Sequence, residues 1–405
     1  MPNTIEVSET DSSTSQYRSA AHYNVTHLRR QSFYSLPTRH MEILSEPPFH
    51  LPRLFREIDS AIDSNADIAD AILQSGLSSF GLDPSDQSWR GKATPSDMDK
   101  ARSTIRQLHR DWSREGEAER QATFCSLSGA LEKHLDTVLP SQRHKHKVLV
   151  PGAGLGRLLF DLCCAGYTAE GNEISYHQLI ASNYFLNEIP GAEAHTLYPW
   201  ALNFSNHLTR ANQLKPEAIP DVHPAATLDS SSKEIQSEVH YSERMSMTSG
   251  DFCSLYRQPE YEGAFSAVVT CFFIDTAPNV INYVETVLHC LSSGGIWVNL
   301  GPLLWHFESE PTPAEKERQN EKHGHEHGSS RHSHGNVAGG RNTGEGIGDP
   351  GSFEMSNDEV LTLLARCGFE VLEHEEDVNA TGYIQDPNSM LQNIYRPAFW
   401  VARKT

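Results

Sequence analysis

The chain has 405 residues, 53 acidic and 33 basic, for a formal charge of −20. That balance argues against a general nucleic-acid binder, because gripping a phosphate backbone needs clustered Lys and Arg. No apolar run reaches the roughly 20 residues of a membrane span, and MPNTIEVSETDSSTSQ carries no secretory leader pattern. The seven cysteines are scattered with no CxxC pair, which suits reduced thiols in an intracellular protein rather than a disulfide framework or a structural zinc site. Hydrophobic residues make up 38%, enough for a core. A mean hydropathy of −0.50 therefore points to polar segments outside it.

Residues 1–15 are polar and Ser/Thr-rich, the composition of a disordered tail. From Tyr17 to about Leu82 the pattern is helical, broken at Pro47, Pro48 and Pro52. Pro95-Ser96-Asp97 offers a helix start with Ser96 as N-cap, after which Met98, Ala101, Ile105, Leu108 and Trp112 recur near a 3.6-residue period. A further helix is expected over Glu117 to Leu139, making 16–145 an N-terminal helical region. At Lys147 the character changes. KVLVPGAG is a short apolar run and TAEGNE a second short strand, while FSAVVTCFFID and GGIWVNLGPLLW are near-continuous apolar runs. Strands alternate with helical patterns, as a parallel sheet covered on both faces requires. The fold expected for 146–405 is α/β, a Rossmann-like doubly wound sheet. Two polar stretches interrupt it, a loop-like one at about 207–245 and a low-complexity one at about 309–352.

Gly152-Ala153-Gly154-Leu155-Gly156 sits on a strand-to-helix turn, where missing Cβ atoms let the backbone approach a ligand. A dinucleotide fingerprint wants its third glycine one residue later, where Arg157 stands. G-x-G-x-G is instead the spacing of class I S-adenosylmethionine-dependent methyltransferases. Glu173, 21 positions after Gly152, closes the next strand, where a carboxylate accepts the two ribose hydroxyls of a cofactor.

The segments VLVPGAGLGRL, GNEISYHQLIASNYFLN, LYPW, PDV, MTSGDF, TCFFIDTAPNVINYVETV and GGIWVNLGPLLWHFE resemble the carnosine N-methyltransferase family from about Tyr17 to the end. The resemblance implies methylation of the imidazole of carnosine to give anserine, with S-adenosylmethionine as donor. It also implies a set of cofactor residues. Gln107 and Arg110, one helical turn apart in QLHRDW, close over the methionine carboxylate, while Gly152 and Gly154 meet the cofactor's amino acid part. Asp251 and Phe252 hold adenine, and Cys271 makes a close contact.

For the acceptor, the resemblance implicates Asp275, His306, Tyr395 and Tyr383. Asp275 and His306 each follow an apolar strand, at comparable depth, on the side where open α/β sheets bind ligands. A neutral imidazole nitrogen is already a nucleophile near pH 7, so the ring needs the right tautomer more than a strong base. Asp275 accepting the remote ring N–H fixes that tautomer and stabilises the charge that develops. His306 orients the ring or relays the proton afterwards, and the two tyrosines hold the dipeptide end. One departure stands out: Pro278 occupies a position where the family carries His, which puts dipeptide preference in question.

His323, His325, His327, His332 and His334 have irregular spacing among Gly and Ser, so a solvated insertion is expected and no metal site. The partner expected is a small dipeptide, with no nucleic acid or membrane, in a cytoplasmic enzyme; a nuclear location and a homodimer stay open. A protein histidine as acceptor, or a non-catalytic cofactor- or metal-binding scaffold, are the rival readings.

Overall fold

The computed structural model describes residues 4–79, 81, 91–135, 139–307, 353–375 and 380–405. The chain forms two compact units, Met1–Ser249 with Asn379–Arg396, and Gly250–Val378 with Pro397–Thr405. The histidine-rich segment, with His323, His325, His327, His332 and His334, lies outside the described residues. No helix among the described residues is long and apolar enough to cross a membrane.

The first unit contains helices α1 (Thr4–Ala21), α2 (Leu51–Ser79), α3 (Pro95–Trp112) and α4 (Glu117–His134). Along α2, Phe55, Ile58, Ile62, Ala66, Ala69 and Leu73 are buried, a three- and four-residue spacing that puts them on one face. Strands β1 (Lys147–Pro151), β2 (Thr168–Glu173), β3 (His195–Leu197), β4 (Glu217–Ile219) and β5 (Met245–Ser249) follow. The order β5-β2-β1 is parallel throughout, and β3 and β4 form a separate antiparallel pair. Helices α5 (Arg157–Cys164) and α6 (Tyr176–Asn183) follow β1 and β2, as the alternating sequence pattern predicts.

Helix α3 starts two residues earlier than expected. Thr94, not Ser96, is the N-cap, and Thr94 and Asp97 form a reciprocal capping box with Pro95 at the first helical position. Its other end is more unusual. The last carbonyls of a helix have no intrahelical partner, and here buried groups claim each of them. Arg120 donates to the Arg110 carbonyl at 2.6 Å and the Ser113 carbonyl at 2.7 Å. Arg157 donates to the Asp111 carbonyl at 2.9 Å, and the Asp221 amide to the Trp112 carbonyl at 2.8 Å. The Asp221 carboxylate joins the two arginines, at 2.8 Å from Arg120 and 2.7 Å from Arg157. Trp112 adds an indole hydrogen bond to the Leu155 carbonyl at 3.1 Å and stacks on Phe185.

Two expectations need correction. Residues 4–15 are not a disordered tail but part of α1, in which Thr10, Asp11, Ser12 and Ser13 are buried. Their contacts are polar, with Ser13 Oγ 2.8 Å and Thr10 Oγ1 3.3 Å from the two ring nitrogens of buried His177. No apolar period marks such a face. The stretch at 207–245 is also more than loop, holding β4, a helix Pro224–Glu234 and the fully buried Arg244. Arg244 donates to the Cys163 and Tyr167 carbonyls at 2.7 and 3.1 Å.

The second unit contains β6 (Phe265–Cys271), α7 (Val280–Cys290), β7 (Leu291–Gly301), α8 (Asn357–Arg366), β8 (Phe369–Glu375) and β9 (Ala398–Lys404). The order is β6-β7-β9-β8, with β6 and β7 parallel and β9 antiparallel to both neighbours. Trp297 packs edge-on against Trp400 at 4.9 Å and donates to Thr270 Oγ1 at 2.9 Å.

Replacing Asp221 with Ala leaves Arg120 and Arg157 buried without the carboxylate that joins them. Loss of one partner from a buried ion pair costs about 3–5 kcal/mol, so Asp221→Ala is expected to lower the denaturation midpoint by that equivalent, read by urea unfolding.

Candidate functional site

In the first unit the glycine loop lies under α3. Gly154 has φ +57, and a Cβ built there falls 3.0 Å from Gln107 Nε2, so the Gln107 amide sits directly against the loop. Gln107 is held from two sides. Its oxygen accepts from Gln178 Nε2 at 2.8 Å, and its nitrogen donates to Asp111 Oδ2 at 3.2 Å. Burial pushes the Asp111 carboxyl up, opposed by the Arg110 guanidinium, which lies 4.0 Å from it. Arg110 is itself buried, with its guanidinium over the rings of Phe124 (5.4 Å) and Tyr383 (4.7 Å). Gln107 thus lies against the loop, with Arg110 one turn further along the same helix. Gly152 opens the same loop with φ +64.

Glu173 ends β2 and is buried. Its Oε1 accepts from the Ile174 and Ser175 amides, both at 2.8 Å, and its Oε2 accepts from the Gly154 amide at 2.9 Å. Burial pushes this carboxyl up, and the three amides oppose the shift. A carboxylate offers about four acceptor positions. One strong position is therefore left for a ligand, where the sequence suggested room for two hydroxyls.

Tyr395 pairs with Thr381 in an isolated antiparallel bridge, and Tyr383 lies two residues further along the same segment. The Glu119 carboxylate fastens the loop behind Tyr383. Glu119 accepts from the Ile384 amide at 2.9 Å and the Gln385 amide at 2.8 Å. Both tyrosines line a cavity of about 590 Å³ together with Trp200, His207 and Asp386.

In the second unit, Cys271 is the last residue of β6 and is half-buried. Phe272 follows with φ +54, a left-handed conformation uncommon for a bulky residue. It is kept there by β7: the Phe272 amide donates to the Leu300 carbonyl at 2.9 Å, and a Cβ on Gly301 would come within 3.1 Å of the Phe272 backbone. This turn delivers Asp275, buried at 3% exposure, into a short 3-10 helix. Asp275 Oδ2 accepts from the Leu304 amide at 3.0 Å, and the His306 amide donates to the Asp275 carbonyl at 3.1 Å. The strand-end segments carrying Asp275 and His306 are therefore brought together. Their depths differ, however, because His306 is exposed; it lies on the irregular segment after β7, with only its backbone tied down.

Asp251 is the N-cap of the helix Phe252–Tyr256, its Oδ1 accepting from the Ser254 amide at 2.8 Å. Phe252 is buried edge-on against Phe273 and Tyr283, at 5.6 and 5.4 Å. Asp111, Gln178 and Glu119 are positioning residues that the sequence reading passed over. Asp111 and Gln178 lie inside quoted motifs, and Glu119 carries no local signal. Among the described residues no group of three or more His, Cys, Asp or Glu is placed to hold a metal ion.

A glycine loop after the first parallel strand and a buried carboxylate ending the second define a Rossmann-like cofactor-binding α/β fold. A family model described as Carnosine N-methyltransferase matches residues 87–405. The carnosine N-methyltransferase of Schizosaccharomyces pombe is 35% identical over 395 residues, covering 96% of this chain and 92% of the relative. That of Mus musculus is 33% identical over 394 residues, covering 96% and 83%. A solved SAM-dependent methyltransferase from Methanosarcina mazei aligns at TM-score 0.34 and 14% identity, covering 68% of this chain and 96% of that one. The chain belongs to the carnosine N-methyltransferase family.

Burial raises the Asp275 pKa, with the Leu304 amide and His306 opposing. The folded carboxyl therefore binds its proton more tightly than the unfolded one. Its cost to stability is absent below the unfolded value of about 4 and grows as pH rises through the folded value. Asp275→Asn is expected to raise the melting temperature at pH 8 and to leave it unchanged near pH 3, read by scanning calorimetry at both pH values.

Proposed function

We propose that this protein transfers a methyl group from S-adenosyl-L-methionine to an imidazole nitrogen of carnosine, giving anserine and S-adenosylhomocysteine. The observation that carries the reading is the cradle formed by Gln107, Gly154 and Glu173 in a chain matched to this family over residues 87–405. A buried carboxylate with one acceptor position left, and a left-handed Gly154 with the Gln107 amide directly against it, fit the ribose and the amino acid part of that cofactor. When bound, S-adenosyl-L-methionine supplies a methyl group made electrophilic by the sulfonium.

The remaining work falls to this chain's own groups. Arg110, with Gln107 beside it, neutralises the methionine carboxylate, and Gly152 and Gly154 allow close approach. Glu173 accepts a ribose hydroxyl. Asp251 accepts the adenine amino group through the oxygen that does not cap its helix, and Phe252 and Cys271 close around the base. On the acceptor side, Asp275 has its Oδ2 fixed by the Leu304 amide, which leaves Oδ1 to accept the remote imidazole N–H. Holding that proton exposes the lone pair of the other ring nitrogen and stabilises the charge the ring gains on methylation. His306, exposed beside the Asp275 segment, orients the ring as it enters. Tyr383 and Tyr395 hold the dipeptide end. On this reading residues 16–145 form a helical cover, 146–405 the catalytic domain, and the enzyme works in the cytoplasm on a small soluble substrate.

Mass spectrometry of carnosine incubated with enzyme and S-adenosyl-L-methionine is expected to show a product heavier by one methylene, methylated on the ring nitrogen nearer the side chain. Label appearing only in protein histidines, with none in the dipeptide, would move the acceptor to proteins. Glu173→Gln turns an N–H toward the Gly154 amide, an unsatisfied buried contact costing about 1–3 kcal/mol. Cofactor affinity by titration calorimetry is expected to fall about 10- to 100-fold. Asp275→Asn is expected to lower kcat about 100-fold, the scale of losing one preorganised electrostatic contact, with cofactor affinity retained.

A further inference from the structure

The cavity that Tyr383 and Tyr395 line also carries a pair of buried polar groups that the reaction above does not use. His207 and Asp386 line it with side chains only 6% and 8% exposed. His207 Nε2 lies 2.7 Å from the Asn203 carbonyl oxygen. A carbonyl only accepts, so Nε2 bears a hydrogen, and in that neutral tautomer Nδ1 presents a lone pair. That atom stands 4.0 Å from Asp386 Oδ2, too far for a direct hydrogen bond, and neither atom has a hydrogen-bond partner.

The pair is also built rather than incidental. Asp386 Oδ1 accepts from the Asn388 amide at 2.8 Å, which sets the carboxylate's rotation. The Met390 amide donates to the Asn206 carbonyl at 2.7 Å, and His207 and Ser389 form an isolated bridge, so the two segments are laced on both sides of the pair. Two converging buried acceptors, one of them a carboxylate, call for a single group with at least two hydrogens and a positive charge. A primary ammonium has that chemistry. Of the arginines lining the same cavity, Arg102 bonds Asp99 at 3.0 Å and Arg106 is exposed, so neither takes that place.

We infer that His207 and Asp386 bind the ammonium group at the non-reacting amino end of the substrate, making them specificity-determining residues; this rests on the proposed reaction on a dipeptide with a free amine. A cavity of about 590 Å³ is ample for a β-alanyl arm beside the two tyrosines. Recognition at this pair selects acceptors by the charge at their far end, independently of the imidazole being methylated.

The test is initial-rate kinetics with carnosine and with N-acetylcarnosine, which lacks the charge. The wild-type enzyme is expected to favour carnosine about 10- to 100-fold in kcat/KM, the range of a charged hydrogen-bonded contact. In Asp386→Asn and in His207→Gln the preference is expected to shrink to about threefold or less, through a higher KM for carnosine, with S-adenosyl-L-methionine binding by calorimetry confirming that each variant is folded. An unchanged preference, or an equal loss on both substrates, overturns the inference and leaves a pair bridged by water only. Should the wild-type enzyme methylate neither compound, the proposed reaction fails. The inference is then decided by β-alaninamide alone: calorimetric binding to the wild type and its loss in Asp386→Asn uphold an ammonium site, and no binding to the wild type sinks it.

Discussion

The cofactor half of the site depends on how the C-terminal end of α3 is finished. A helix that ends inside a protein leaves carbonyls with nowhere to go, and solvent cannot repair the deficit. Here Arg120, Arg157 and the Asp221 amide take those carbonyls, and the Asp221 carboxylate balances the charge the arginines bring in. Because Arg157 begins α5 immediately after the glycine loop, the same contact that satisfies the helix end also fixes its distance from Gly154. Gln107 and Arg110 are placed by backbone chemistry before any ligand is considered.

The same economy of groups recurs at the carboxylates. Glu173 and Asp275 are both buried, and burial pushes both pKa values up, yet each has an oxygen pinned by main-chain amides. Amides at fixed positions orient an acceptor without adding a competing charge. In a site that must handle a positively charged donor and a ring that becomes positive, such preorganisation reduces the rearrangement needed during reaction.

Much of this was legible in the sequence. The apolar runs beginning at Lys147, Phe265 and Gly294 fall in β1, β6 and β7, because buried parallel strands have a composition that few other elements share, and TAEGNE, placed by its position after the first helix, is β2. The glycine spacing and Glu173 were legible for the same reason: the loop's close backbone approach excludes side chains. Polar packing was not. The buried face of α1 runs through Thr10, Ser13, Thr14, Tyr17 and Ala21, and its Thr10 and Ser13 bond His177, more than 160 positions away. Asp221 sits in a stretch read as loop, and Glu119 acts on backbone amides at 384 and 385 that no spacing rule connects to it. The left-handed Phe272 is invisible from a sequence that shows only another buried aromatic. The exposure of His306 was missed because a residue that follows an apolar strand was assumed to share its depth.

The grip on α3 is on its carbonyl oxygens, and carbonyls are the same whichever side chain the residue carries. Descendants of this protein are therefore free to exchange the residues at 107 and 110 without losing the helix's register over the loop. Evolution can retune what the cofactor meets by single substitutions on a platform that stays put, whereas a change at Arg120, Arg157 or Asp221 moves every contact at once.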